Sequence, residues 1–229
     1  MAVYSNCENG LAIYENALKA MQSPTEIIAV DVALLLPESA RERAQAINAI
    51  LWAQQQDGFQ FDATHLPHIT LVQLFVQRKN LSSLIQSIDS ILRHVSPLSL
   101  RVTKFGKTQT TSHLLIERTS ELQSLHERLT DGVAPFEEPP GTTDTFFGAK
   151  EPARPSDVEW VAHFRSQASG NNYWPHITLG VGNLQEPAEP FDFTASRVSL
   201  CHLGRSCACR AVLHEWNLRS NMKSSLHAD

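Results

Sequence analysis

Hydrophobic and polar positions alternate with two different periods along the chain, and the changes of period mark its elements. In CENGLAIYENALKAMQ, Leu11, Ile13, Tyr14, Ala17, Leu18 and Met21 recur at near-helical spacing until Ser23-Pro24 breaks the pattern. This predicts an appended N-terminal helix within residues 1–23. TEIIAVDVALLLP is β-branched and aliphatic and is closed by Pro37, which predicts a strand buried on at least one face. ESARERAQAINAILWAQQQ carries Ala44, Ile47, Ile50 and Leu51 on one side and charge on the other, the pattern of an amphipathic helix. The loop DGFQFDATHLP then leads into strand HITLVQLFV, helix LSSLIQSIDSILRHV and strand LSLRVTKFGKT. The second half predicts strand SHLLIER, helix SELQSLHERLTDGV, a Pro-rich loop over 135–155, helix SDVEWVAHFRSQA, strand WPHITLGVG and closing strands near 193–204 and 208–218.

Two of these strands open on the same word. Pro-His-Ile-Thr-Leu occupies residues 67–71 and again 175–179, at comparable places in two comparable halves. An internal repeat of this kind implies two related units. The halves cover about 24–110 and 111–219 of a single domain over 24–229, with strand exchange between them allowed. Outside the shared word the halves have little sequence in common.

Side chains on a strand alternate faces, so His68 and Thr70 share one face while Ile69 and Leu71 take the other. The same holds for His176 with Thr178 and Ile177 with Leu179. If the two strands are related by a pseudo-twofold axis, two imidazoles and two hydroxyls converge on one concave spot. Such a pair divides the work on a phosphodiester, one histidine taking a proton from the attacking oxygen and the other giving one to the leaving oxygen. The threonine hydroxyls donate hydrogen bonds to the non-bridging oxygens. This chemistry needs no metal and no other cofactor.

Composition narrows the partners. The 229 residues are 42% hydrophobic and 19% charged, ordinary for a globular protein, and the net charge of −5 provides no general basic field for duplex DNA. Apolar runs such as IIAVDVALLL are interrupted by charge and fall short of a membrane span, and MAVYSNCENG lacks the order of a secretory signal. A cytoplasmic location is expected. The cysteines at 7, 201, 207 and 209 are too uneven for a disulfide framework. Cys201, Cys207 and Cys209 cluster with His202, but C-x5-C-x-C is not a familiar zinc knuckle, and buried, reduced strand cysteines are the expectation.

Two H-x-T-hydrophobic motifs on strands, in two halves of a chain this size, resemble the 2H phosphoesterase superfamily, which includes 2′-5′ RNA ligase-like proteins and cyclic nucleotide phosphodiesterases. The resemblance spans about residues 25–219 and includes VSLCHLGRSCACRAVLHEWNL, which is similar to that family's last hairpin. It implies a bilobal α+β fold with two antiparallel sheets facing across a cleft and helices outside. It also implies metal-free chemistry on 2′,3′-cyclic or 2′-5′-linked phosphates, with His68, Thr70, His176 and Thr178 as the catalytic positions. By analogy with the family's cyclic phosphodiesterases, His176 is the base and His68 the acid, leaving a 2′-phosphate.

Substrate is expected as a nucleotide or RNA end bound by a monomer, with a base stacked on an aromatic side chain. Tyr173 and Trp174, at the entrance to the second motif, are the candidates; Phe146 and Phe147 are further options. Phe75, seven residues beyond His68, falls on the opposite face of a regular strand. Arg101, Lys104, Lys107, Arg205 and Arg210 are candidate phosphate partners, while VQLFV and GVGNL lack the basic residue that some relatives carry after a motif. The rival readings are ligation rather than hydrolysis, a non-catalytic module that clasps a nucleotide or RNA end, and a zinc protein in which His68 and His176 join the cysteines.

Overall fold

The computed structural model describes residues 26–219 apart from 55, 57, 109, 149–150, 183 and 185–188; the N-terminal helix expected within 1–23 lies outside the described residues. The described chain is α+β. Its strands are β1 (Ile27–Leu35), β2 (His68–Gln77), β3 (Leu98–Lys107), β4 (Thr111–Ile116), β5 (His176–Val181), β6 (Phe191–Ala195), β7 (Arg197–Leu203) and β8 (Cys209–Asn217). The α-helices are α1 (Glu38–Gln54), α2 (Leu81–Leu92), α3 (Ser120–Val133) and α4 (Pro155–Gln167). None of the described helices is long and apolar enough to cross a membrane.

The strands form two four-stranded sheets, β2-β1-β7-β8 and β5-β4-β3-β6, and every pairing is antiparallel. The sheets do not follow the halves of the sequence. β3 pairs with β4 and β6, and β7 and β8 return to β1. The closing strand expected near 193–204 is two strands: Ala195 pairs with Leu98 in one sheet, whereas Arg197 pairs with Leu35 in the other. The break at Ser196 carries neither Gly nor Pro, so local pattern offered no turn signal there.

One large core joins both sheets and the helices. Val30, Val32 and Leu34 from β1 meet Leu84 and Ile88 of α2, Leu125 and Leu129 of α3, and Ile177 and Leu179 of β5. A smaller cluster on the other side of β1 holds Ala29, Phe75, Phe146, Val161 and Leu203, with α4 packed against it. β1 is thus buried on both faces, as its unbroken aliphatic run requires. The one charge in that run, Asp31, is fully buried with it.

Candidate active site

Each letter of the repeated word has a structural assignment. Pro67 and Pro175 stand immediately before the edge strands β2 and β5, each between an imidazole and the carbonyl that it meets. His68 Nδ1 lies 2.8 Å from Leu66 O, and His176 Nδ1 lies 2.8 Å from Trp174 O. A carbonyl only accepts, so in both rings Nδ1 carries the hydrogen and Nε2 is left for chemistry. Ile69 and Ile177 are fully buried anchors. The final Leu of each word is a β-bulge: the β1–β2 register slips between Val32 and Ala33, and the β4–β5 register slips between Ser112 and His113, leaving Leu71 and Leu179 as the extra residues. Bulges of this kind re-aim side chains beside functional sites.

A helix side chain pins each bulge. His126 of α3 donates from Nδ1 to Leu71 O at 2.6 Å, while its Nε2 accepts from Gly170 N at 3.1 Å. Asn48 of α1 donates to Leu179 O at 2.8 Å and to Phe59 O at 2.9 Å. Both helix residues are polar positions on amphipathic helices, and nothing in their local pattern distinguishes them from solvated ones.

The first bulge corrects the expectation for Phe75. The extra residue reverses the alternation beyond Thr70, so Gln73 and Phe75 pair with Asp31 and Ala29 and share the face of Thr70. Phe75 is nonetheless closed to substrate, since its ring packs edge-on against Phe146 with centroids 6.1 Å apart and the residue is buried.

The threonines have different neighbours. Thr70 Oγ1 donates to Asp31 Oδ2 at 2.7 Å, and Gln73 donates to the same oxygen at 2.8 Å. His68 Nε2 lies 3.6 Å from it. In the other half, Thr178 Oγ1 lies 3.5 Å from His113 Nδ1, and the His113 ring meets His176 edge-on at 4.7 Å. One histidine therefore faces a carboxylate and the other a third imidazole. Asp31 was legible only as a lone charge in IIAVDVALLL; His113 had no distinguishing mark among ten histidines.

Burial dominates the electrostatics. It pushes the Asp31 carboxyl up to about 7 against the opposing hydrogen bonds from Gln73 and Thr70. It pushes His68 down to about 4, helped by the charge that His176 would carry and opposed by the Leu66 carbonyl. His176 is also lowered by burial, against the Trp174 carbonyl. Burial, and then His176, push His113 down to about 4.

The two expected substrate aromatics diverge. Trp174 is 47% exposed with its ring 4.5 Å from His176, so one aromatic surface lies open beside the second imidazole. Tyr173 is only 4% exposed; its ring stacks on His126 at 3.8 Å and its hydroxyl donates to Thr70 O at 3.0 Å. It braces the first motif from the second. Phe146 is buried, and Phe147 packs on His202. Among the basic candidates, Arg101 pairs with Asp192 and Arg210 with Glu151. Cys201 and Cys209 are buried free thiols and Cys207 is a partly buried one. His68, Asp31 and Cys209 do bring possible metal-ligand atoms within 4.8 Å of one another, but His176 is not part of that group.

The fold has solved counterparts. The TT0787 protein of Thermus thermophilus superposes with a TM-score of 0.57 at 16% identity, covering 85% of this chain and 100% of that one. LigT of E. coli, solved with ATP, gives 0.52 at 16% identity with the same coverage of 85% and 100%. LigT solved with NADP+ gives 0.50 at 16% identity, again covering 85% of this chain and 100% of its own. No curated protein matches the chain by sequence. The model of the 2′-5′ RNA ligase superfamily matches residues 36–203, a span that includes both PHITL words and well over half of the sequence. The chain thus belongs to the 2′-5′ RNA ligase superfamily, within the 2H phosphoesterases that its two HxT motifs imply.

Proposed function

We propose that this protein is a metal-independent cytoplasmic phosphodiesterase that opens 2′,3′-cyclic phosphate or 2′-5′-linked nucleotide and RNA ends by two-histidine acid–base catalysis. The observation that carries this reading is the matched pair of imidazoles, each pinned through Nδ1 at 2.8 Å to the carbonyl two residues before it, with Nε2 left for proton transfer. Each stands beside a threonine on the edge strand of its own sheet. The exposed Trp174 ring is the proposed base platform, and the complexes of LigT with ATP and NADP+ support a nucleotide as the ligand class.

The unequal neighbours of the two histidines support unequal roles. His68 is the proposed acid, because its Nε2 lies 3.6 Å from Asp31 Oδ2, a carboxyl that burial keeps protonated up to about 7 and that shares its proton with the ring. His176 is the proposed base, because a charge on it would face His113 at 4.7 Å. His176 takes a proton from water as the water oxygen attacks phosphorus in line, the bond to the 3′ oxygen breaks, and His68 returns a proton to that oxygen. A 2′-phosphate remains. The threonine hydroxyls stabilise the non-bridging oxygens, Thr70 turning its single hydrogen from Asp31 Oδ2 to the phosphoryl oxygen when substrate binds.

Activity should survive exhaustive chelation, because each step is a proton transfer or a hydrogen bond. Turnover of a 2′,3′-cyclic nucleotide before and after stripping checks this, and loss that a stoichiometric metal restores would contradict it.

The kcat/KM profile should be bell-shaped. The base works only when neutral, so activity falls as pH drops through the value of His176, which burial holds below the ordinary imidazole range. The acid works only when protonated. Asp31 and His68 hold one proton between them until the carboxyl's raised value of about 7, so activity falls as pH rises through that region. Asp31→Asn removes the carboxyl that shares the proton and should shift the alkaline limb downward, toward the His68 value of about 4. At pH 7 it should cost roughly tenfold to a hundredfold. An Asp31→Asn profile with an unmoved alkaline limb would take Asp31 out of the proton path.

A further inference from the structure

We infer that Asp31, His68 and Cys209 form a binding site for a thiophilic divalent cation of the zinc type, and that filling it silences His68. Three strands of one sheet deliver the donors: Asp31 from the middle of β1, His68 from the start of β2 and Cys209 from the start of β8. Their ligand atoms all lie within 4.8 Å of one another. Backbone contacts hold the group together, for Leu66 N donates to Cys209 O at 3.1 Å and Leu66 O accepts from His68 Nδ1 at 2.8 Å. One residue between the strands thereby fixes both the cysteine's backbone and the imidazole.

Two of the donors are prepared for a cation, and the third, the Cys209 thiol, which burial pushes up, gives up its proton when the ion binds. An imidazole whose Nδ1–H is already bonded to a carbonyl is oriented as metal-ligating histidines are, with the Nε2 lone pair available. That Nε2 points to Asp31 Oδ2 at 3.6 Å. The other carboxylate oxygen, Asp31 Oδ1, has no hydrogen-bond partner although the residue is fully buried. Among the buried, unpartnered side-chain atoms of the described residues it is the one carboxylate oxygen, and an ion would satisfy it. Cys209 is fully buried and unoxidised, with Cys201 as its hydrogen-bonding neighbour.

The donor set selects the ion. One thiolate, one imidazole and one carboxylate suit zinc or cobalt, and not the all-oxygen preference of calcium or magnesium. Three protein ligands leave a fourth position for water or a phosphate oxygen. Entry is from the side of His68, whose side chain is 14% exposed while that of Asp31 is wholly covered. A cation on Nε2 takes the lone pair and opposes the positive charge that the acid role requires. The inhibitory consequence rests on the proposed two-histidine reaction; the binding itself does not.

Cobalt(II) titrated into the reduced, chelator-stripped full chain gives a readout independent of activity. One equivalent should produce a thiolate-to-cobalt charge-transfer band, which one equivalent of zinc then removes by displacement. Cys209→Ser and Cys209→Ala should each lose the band and weaken binding at least about tenfold, whereas His176→Ala should keep it. Zinc should lower wild-type turnover of a 2′,3′-cyclic nucleotide, and both Cys209 variants should keep basal turnover yet escape inhibition. Absence of the band in the wild type, its survival in Cys209→Ser, or its dependence on Cys201 or Cys207 instead would overturn the site. A band without turnover of any cyclic or 2′-5′-linked substrate would leave the site standing and overturn only the proposed function.

Discussion

His68→Ala and His176→Ala should each lower turnover by about two to four orders of magnitude while the fold survives. The loss is large because each ring is one of two groups that move a proton in the transition state, and neither can substitute for its partner's position. The fold survives because each side chain's hydrogen bond is a local one, to the carbonyl two residues back, and the buried anchors of each strand are the isoleucine and leucine of the same word. The double variant should be far less than multiplicatively worse, since removing either member already disables the concerted transfer. Single-turnover rates on a 2′,3′-cyclic nucleotide, with circular dichroism as the control for folding, measure all three. A single variant with near-wild-type rates would break the symmetric site.

Thr70→Ala and Thr178→Ala should cost less, on the order of tenfold to a thousandfold in kcat, because each removes one donor to the phosphoryl oxygens and leaves the proton path in place. Thr70 differs from Thr178 in the empty site: its one hydroxyl hydrogen is given to Asp31 Oδ2 at 2.7 Å and has to turn to the phosphoryl oxygen when substrate binds. Thr70→Ala should therefore also move the alkaline limb of the pH profile, whereas Thr178→Ala should lower the whole profile without shifting that limb. Equal and shapeless losses in the two variants would contradict the asymmetry drawn from Asp31 and His113.

The repeated word was the most informative feature of the sequence, because period-two alternation is local and puts His and Thr on one face without any knowledge of pairing. Most element positions follow from the same local logic, including α3 over Ser120–Val133. What the sequence could not show is what depends on strands meeting from far apart. Asp31 approaches Thr70 only because β1 pairs with β2, and His113 approaches Thr178 only because β4 pairs with β5. The face that Phe75 takes is hidden from the sequence for the same reason. A bulge is a property of two strands in register, and nothing in HITLVQLF announces that Leu71 is the extra residue. Likewise Ser196 divides one apparent strand between two sheets with an ordinary residue. Tyr173 and Trp174 read alike as neighbours of the second motif, yet one is stacked on His126 and the other lies open beside His176.

The most direct test of the two-histidine phosphodiesterase is to incubate the purified chain, with chelator present, with 2′,3′-cyclic nucleotides, cyclic-phosphate RNA ends and 2′-5′ oligoadenylates, and to identify the products. The expected result is hydrolysis in which a cyclic phosphate opens to a 2′-phosphate, abolished in both His68→Ala and His176→Ala. Binding of these ligands without any product would contradict it, whereas a 3′-phosphate as the only product would overturn the assignment of the leaving oxygen and leave the two-histidine site standing.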